Sequence, residues 1–129
     1  MKYYIILCFY LILFTGCATT ATFPVSDVVP AAEIKVKKKS DKNGNHTLEI
    51  TAQHLAGADR LNPPANNYSV WIVTQDHGIK NLGQMQVRNT RKTTFKTSTP
   101  FDFSEIFITA ESQGDLRYPS GREISRTKI

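Results

Sequence analysis

Three sets of side chains in this sequence are of a type that could do chemistry. His46, His54 and His77 could hold a metal ion. Asp102 and Glu105 flank Ser104, and a carboxylate pair of that kind can serve as acid and base on a glycan. Arg117, Tyr118 and Arg122 surround Pro119 and Gly121 in "GDLRYPSGR", an aromatic and guanidinium mixture that interfaces favour. The only two thiols, Cys8 and Cys17, both fall within the first seventeen residues.

The spacings sort these sets. His46 and His54 have the same parity on one expected strand and lie roughly 27 Å apart there, so they cannot share an ion. His77 falls in a turn, whereas zinc needs three or four convergent ligands. "DKNGN" lacks the sixth-position glycine and twelfth-position glutamate of a calcium loop. The expectation is therefore no metal and no cofactor. Asp102 and Glu105 read more simply as caps of a tight corner, accepting from backbone N–H groups. There is no Gly-x-Ser-x-Gly elbow. No catalytic residue is assigned, and the chain is expected not to be an enzyme.

Cys17 follows Lys2, an uncharged apolar run from Tyr3 to Thr15, and Gly16. The run is too short to cross a bilayer, which takes about 20 apolar residues, and has the length of a signal-peptide core. Small residues followed at once by cysteine resemble the lipobox of bacterial lipoproteins, in which the thiol is acylated and becomes the new N-terminus. Phe14 stands where leucine is usual, with Leu13 one place earlier. The alternatives are ordinary secretion with cleavage further on, near Ala21, and an uncleaved anchor. The lipoprotein reading makes 1–16 a signal peptide, places a lipid on Cys17, and puts the mature protein in the cell envelope, facing the periplasm. It discards Cys8 and leaves no pair to form a disulfide, so a core alone must hold the domain.

About 110 residues then remain, enough for one small domain. The whole chain carries a net charge of +5. Its one dense basic run is Lys35, Lys37, Lys38 and Lys39, without the interleaved aromatics or the motif of a nucleic-acid binder. It reads as a strand edge guarded by lysines against pairing, with anionic lipid or cell-wall polymer as the other reading.

Residues 17–31 show no period and contain Pro24 and Pro30, which predicts an extended tether reaching on the order of 45 Å. From residue 32 the pattern is β. "EIKVKK" and "HTLEITAQ" alternate on either side of the turn "SDKNGN" and predict a hairpin. "YSVWIVT" is apolar on both faces and predicts a central strand. "KNLGQMQV", "KTTFKTS", "DFSEIFITAES" and "REISRTKI" complete about seven short strands. The expectation is all-β: a single immunoglobulin-like antiparallel β-sandwich over 32–129, with Trp71 between the sheets near Ile50, Phe95 and Ile108.

Tyr68, Val70, Trp71, Asp76, Gly78, Leu82, Gly83, Thr109, Glu111, Pro119 and Gly121 together resemble the extracytoplasmic C-terminal domain of anti-sigma-K-type factors. The resemblance covers roughly residues 66–122. It implies an extracytoplasmic β-sandwich. It does not bring sigma binding with it, because the chain lacks that family's sigma-binding region and transmembrane helix. The function expected from these readings is a non-catalytic, lipid-anchored domain that meets an envelope protein or cell-wall ligand, with Arg117, Tyr118 and Arg122 as its interaction loop. A small hydrolase acting on peptidoglycan or lipid, or a structural spacer, are the alternatives. The partners expected are the membrane, through Cys17, and that envelope component, with no nucleic acid.

Overall fold

A computed structural model describes residues 18–129. The signal peptide expected over 1–16 and Cys17 lie outside the described residues. Eight antiparallel strands make two four-stranded sheets. The first sheet has the order β1 (Ala18–Thr22), β2 (Glu33–Ser40), β3 (His46–Gln53) and β6 (Thr93–Thr99). The second has the order β5 (Ile79–Met85), β4 (Asn67–Thr74), β7 (Phe103–Glu111) and β8 (Arg122–Lys128).

Period-two patterning sets the registers. Ile34 and Val36 of β2 lie opposite Ala52 and Ile50 of β3, and Ile50 lies opposite Phe95 of β6. Tyr68, Val70 and Ile72 of β4 lie opposite Ala110, Ile108 and Ile106 of β7. These two inner faces form the core with Leu48, Leu55, Met85 and Ile124. Counting from β2, the seven strands follow an immunoglobulin-like order in which the fourth has moved to the second sheet, beside the third. The hairpin, the central strand and the all-β class are as the sequence predicts.

The tether is not. The sandwich begins at Ala18, with β1 paired along β2 from Ala18–Lys39 to Thr22–Lys35. Phe23 and Val29 are buried in the core beyond it. β1 has no hydrophobic alternation because nearly all of its side chains face solvent. Backbone pairing and β-branched threonine hold it instead, which no periodicity reveals. The lysine strand β2 is consequently not an edge. Lys35, Lys37 and Lys39 project from an interior strand, while Lys38 has core parity and sits at the rim, its ammonium 4.1 Å from the Phe103 ring centroid.

Trp71 is fully buried, but not between the sheets. Neighbours along a strand point to opposite faces. With Val70 and Ile72 facing the core, Trp71 faces the outside of the second sheet, stacked on Phe107 at 6.1 Å. The loop 112–121 folds back over that face, where the Asn81 amide donates to the Leu116 carbonyl at 2.9 Å.

Candidate functional site

The strands give the sandwich two ends of different make-up. The loop end gathers the segments 24–32, 54–66 and 112–121. The entry end is where β1 starts, and holds the turn 41–45, the turn 75–78 and the corner 100–102.

The loop end is organised by Glu111, a carboxylate with no solvent exposure. It accepts four hydrogen bonds: from Thr109 Oγ1 at 2.8 Å, the Ser120 amide at 3.0 Å, Ser120 Oγ at 3.0 Å and the Gly121 amide at 2.9 Å. Thr109 Oγ1 in turn accepts from the Trp71 indole N–H at 2.8 Å. Burial pushes the Glu111 carboxyl up, but these donors outweigh it and hold the group below its ordinary value. Gly121 is needed for close approach: a Cβ there would lie 1.8 Å from the Ala110 carbonyl oxygen. Trp71, Thr109, Glu111 and Gly121, all part of the resemblance, thus form one structural chain that ties the long loop to the sheet.

With the loop fixed, Arg122 opens β8 at the junction of two hollows. One, of about 450 Å³, is lined by Val28, Val29, Ala56 and Leu61 together with Asp27, His54 and Arg60. The other, of about 190 Å³, runs past Pro63, Pro64 and Ala110 to Glu111 and Ser120. Arg122, Val28, Leu61 and Asn62 line both. Among the described residues no carboxylate forms an ion pair with Arg122.

The interaction loop expected from the sequence is therefore divided. Arg122 belongs to this double groove, whereas Arg117 and Tyr118 line neither part of it. Tyr118 is 66% exposed and has the Arg117 guanidinium 6.0 Å from its ring. The groove's apolar wall escaped the sequence reading because it comes from two distant segments, 28–31 and 56–61, one of them assigned to the tether. The only signal was the small apolar run Val28–Ala31 and the pair Ala56 and Ala58 before Leu61.

At the entry end, Asp102 and Glu105 do not work as a pair. Glu105 Oε1 lies 3.5 Å from Arg126. Asp102 Oδ1 lies 2.7 Å from His46 Nε2, and Ser40 Oγ lies 2.7 Å from His46 Nδ1. A carboxylate only accepts, so Nε2 carries the hydrogen in the Asp102 bond. This array was invisible in sequence, because 56 residues separate His46 from Asp102. Among the described residues no three His, Cys, Asp or Glu side chains converge as metal ligands.

No family model matches the chain, and no curated protein or solved structure matches it at a significant level.

Proposed function

We propose that this chain is a lipid-anchored protein of the bacterial cell envelope whose sandwich binds a partner instead of catalysing a reaction. One observation carries the binding part: Arg122, without an ion-pair partner among the described residues, stands at the junction of two apolar-walled hollows. An apolar contact beside planar, persistent cations, Arg122 with Arg60 in the larger hollow, suits a ligand that presents a carboxylate next to an apolar group. An envelope protein or a cell-wall peptide has that chemistry. The lipobox-like sequence at Cys17 supports the anchoring part, and the groove lies at the opposite end of the strands from Ala18, the first residue of β1. Two acyl chains hold a protein firmly to a membrane.

The test has two parts. Cys17→Ala should abolish incorporation of labelled fatty acid and release the protein from membranes; a mutant that still fractionates with membranes at the mature mass refutes the anchor. Arg122→Ala should lower cross-linking to envelope components while leaving the thermal midpoint unchanged; undiminished cross-linking refutes the groove.

Ser40, His46 and Asp102 favour a second reading, a small envelope hydrolase. In the serine hydrolase arrangement the serine meets Nε2 and the aspartate Nδ1. Here the two nitrogens are exchanged. Ser40 lies exposed at a strand end and lines none of the hollows described above. Labelling of Ser40 by a fluorophosphonate probe, lost in Ser40→Ala, would make this second reading the better one.

A further inference from the structure

Ala18 is already paired with Lys39 at the first position of β1. A residue immediately before it has its Cα within about 4 Å, so an acyl chain on Cys17 would be attached directly to the end of the first sheet. The tether that would have held the domain clear of the bilayer does not exist, since 18–22 is a strand and Phe23 is buried. The entry end must then lie against the head groups, and its surface suits that place. Phe101, at the tip of the corner between β6 and β7, is 45% exposed, with the Lys80 ammonium 5.1 Å from its ring centroid. Lys39 stands just before the neighbouring hairpin turn and Lys42 within it, both exposed. Lys38 reaches across the rim to the Phe103 carbonyl at 3.3 Å.

Three aspartates at this end are engaged within the protein. Asp41 accepts from the Asn43 and Asn45 amides, Asp76 from Thr74, and Asp102 from His46. They lower the positive charge of the surface, on which Lys39, Lys42 and Lys80 are exposed.

We infer that the entry end of the sandwich is a membrane-docking surface, with Phe101 inserted at the head-group boundary and Lys39, Lys42 and Lys80 held on anionic phospholipid. The inference rests on acylation of Cys17, and it adds a fixed orientation: strands of about eight residues would stand the Arg122 groove roughly 27 Å above the bilayer surface. An aromatic ring with one lysine beside it and two more at the neighbouring turn suits this boundary, where apolar area is buried while ammonium groups stay wet.

The test uses the full chain, processed in cells, purified in detergent and reconstituted into phosphatidylcholine vesicles with or without phosphatidylglycerol. Acylation and processing consume both native thiols, so Asn43→Cys at the entry end and Tyr118→Cys at the loop end each carry one fluorophore. Lipid spin-labelled near the head group should quench the Asn43→Cys probe several-fold more than the Tyr118→Cys probe. The difference should shrink at high salt, without phosphatidylglycerol, and in the combined Phe101→Ser, Lys39→Glu, Lys42→Glu, Lys80→Glu variant, whose fold is checked by its thermal midpoint. Equal quenching of the two probes overturns the inference, as does a difference that the combined variant leaves intact. The mass of the same purified protein separates the two failures: an acylated protein with equal quenching keeps the anchor and loses the docking surface, and an unacylated one loses both.

Discussion

At the loop end, one fully buried carboxylate gathers four hydrogen bonds and fixes a ten-residue loop onto the sheet; at the entry end, the aspartates are exposed and each answers one or two neighbours. Glu111 has no solvent contact, while the Asp102 side chain is 69% exposed although it lies 2.7 Å from His46. A desolvated, hydrogen-bonded charge is costly to disturb, because removing any partner leaves the others unpaired in low dielectric. An exposed pair is screened and loses little. The comparison teaches that short distances at the two ends mean different things. Those around Glu111 shape a groove, and those around Asp102 leave a surface free to meet something else.

The largest effect should come from the start of the Glu111 chain. Trp71→Ala removes a buried indole, its stacking on Phe107 and the donor to Thr109. It should cost about 3–5 kcal/mol, out of a total of about 5–15 kcal/mol for such a domain. Denaturant unfolding checks this, with iodide access to the native Trp71 fluorescence as a control. Strong quenching in the folded state would show that the loop 112–121 does not cover the ring.

Glu111→Gln should come next, at about 2–3 kcal/mol, because it weakens charge-assisted hydrogen bonds without opening a cavity. The sign of the pH dependence follows from its lowered folded-state value. Stability from Glu111 is fully present above its ordinary value of 4.5 and is lost as pH falls through the lower folded value. Melting of the wild type between neutral pH and about pH 3 should show that loss, and Glu111→Gln should flatten the curve. Asp102→Asn, at the other end, should change stability by less than about 1 kcal/mol. Equal effects from the two substitutions would erase the distinction between the ends.

The sequence made the sandwich readable where side chains alternate against a core, as in β2, β3 and the doubly apolar β4. It hid β1 because an edge strand with both faces near solvent has nothing to alternate. It also placed Trp71 between the sheets, since an apolar strand does not say which of its two faces meets the other sheet and which meets a loop. Its own alternation with Val70 and Ile72 was legible, and the covering loop was not. For the groove, Arg122 was legible as an arginine beside a Pro-x-Gly loop. The wall opposite it was not, because 28–31 and 56–61 come together only through the pairing of β1 with β2 and the burial of Val29, Leu55 and Ala58. Among the described residues every buried side-chain polar atom finds a partner, so Arg122 cannot be singled out by an unmet buried group. Its position between two hollows sets it apart.

The smallest expected effect on stability separates the parts of the loop end most sharply. Arg117 and Tyr118 lie on the outer side of the loop, exposed and outside both hollows, and surface changes of that kind move stability by about 0.5 kcal/mol or less. The Arg117→Ala, Tyr118→Ala double variant should therefore melt with the wild type, as should Arg122→Ala, whose side chain is also exposed. Their binding should differ. If the ligand's carboxylate is held in the groove, Arg122→Ala removes the one cation that lines both hollows and should weaken cross-linking about ten-fold or more, the equivalent of one lost charge-assisted contact. The double variant should weaken it only a few-fold, through a rim charge and a partly solvated ring. Quantified cross-linking of the three proteins in the same envelope preparation decides between them. A larger loss in the double variant than in Arg122→Ala would move the binding surface out of the groove and onto the exposed Tyr118 ring, with Arg117 beside it.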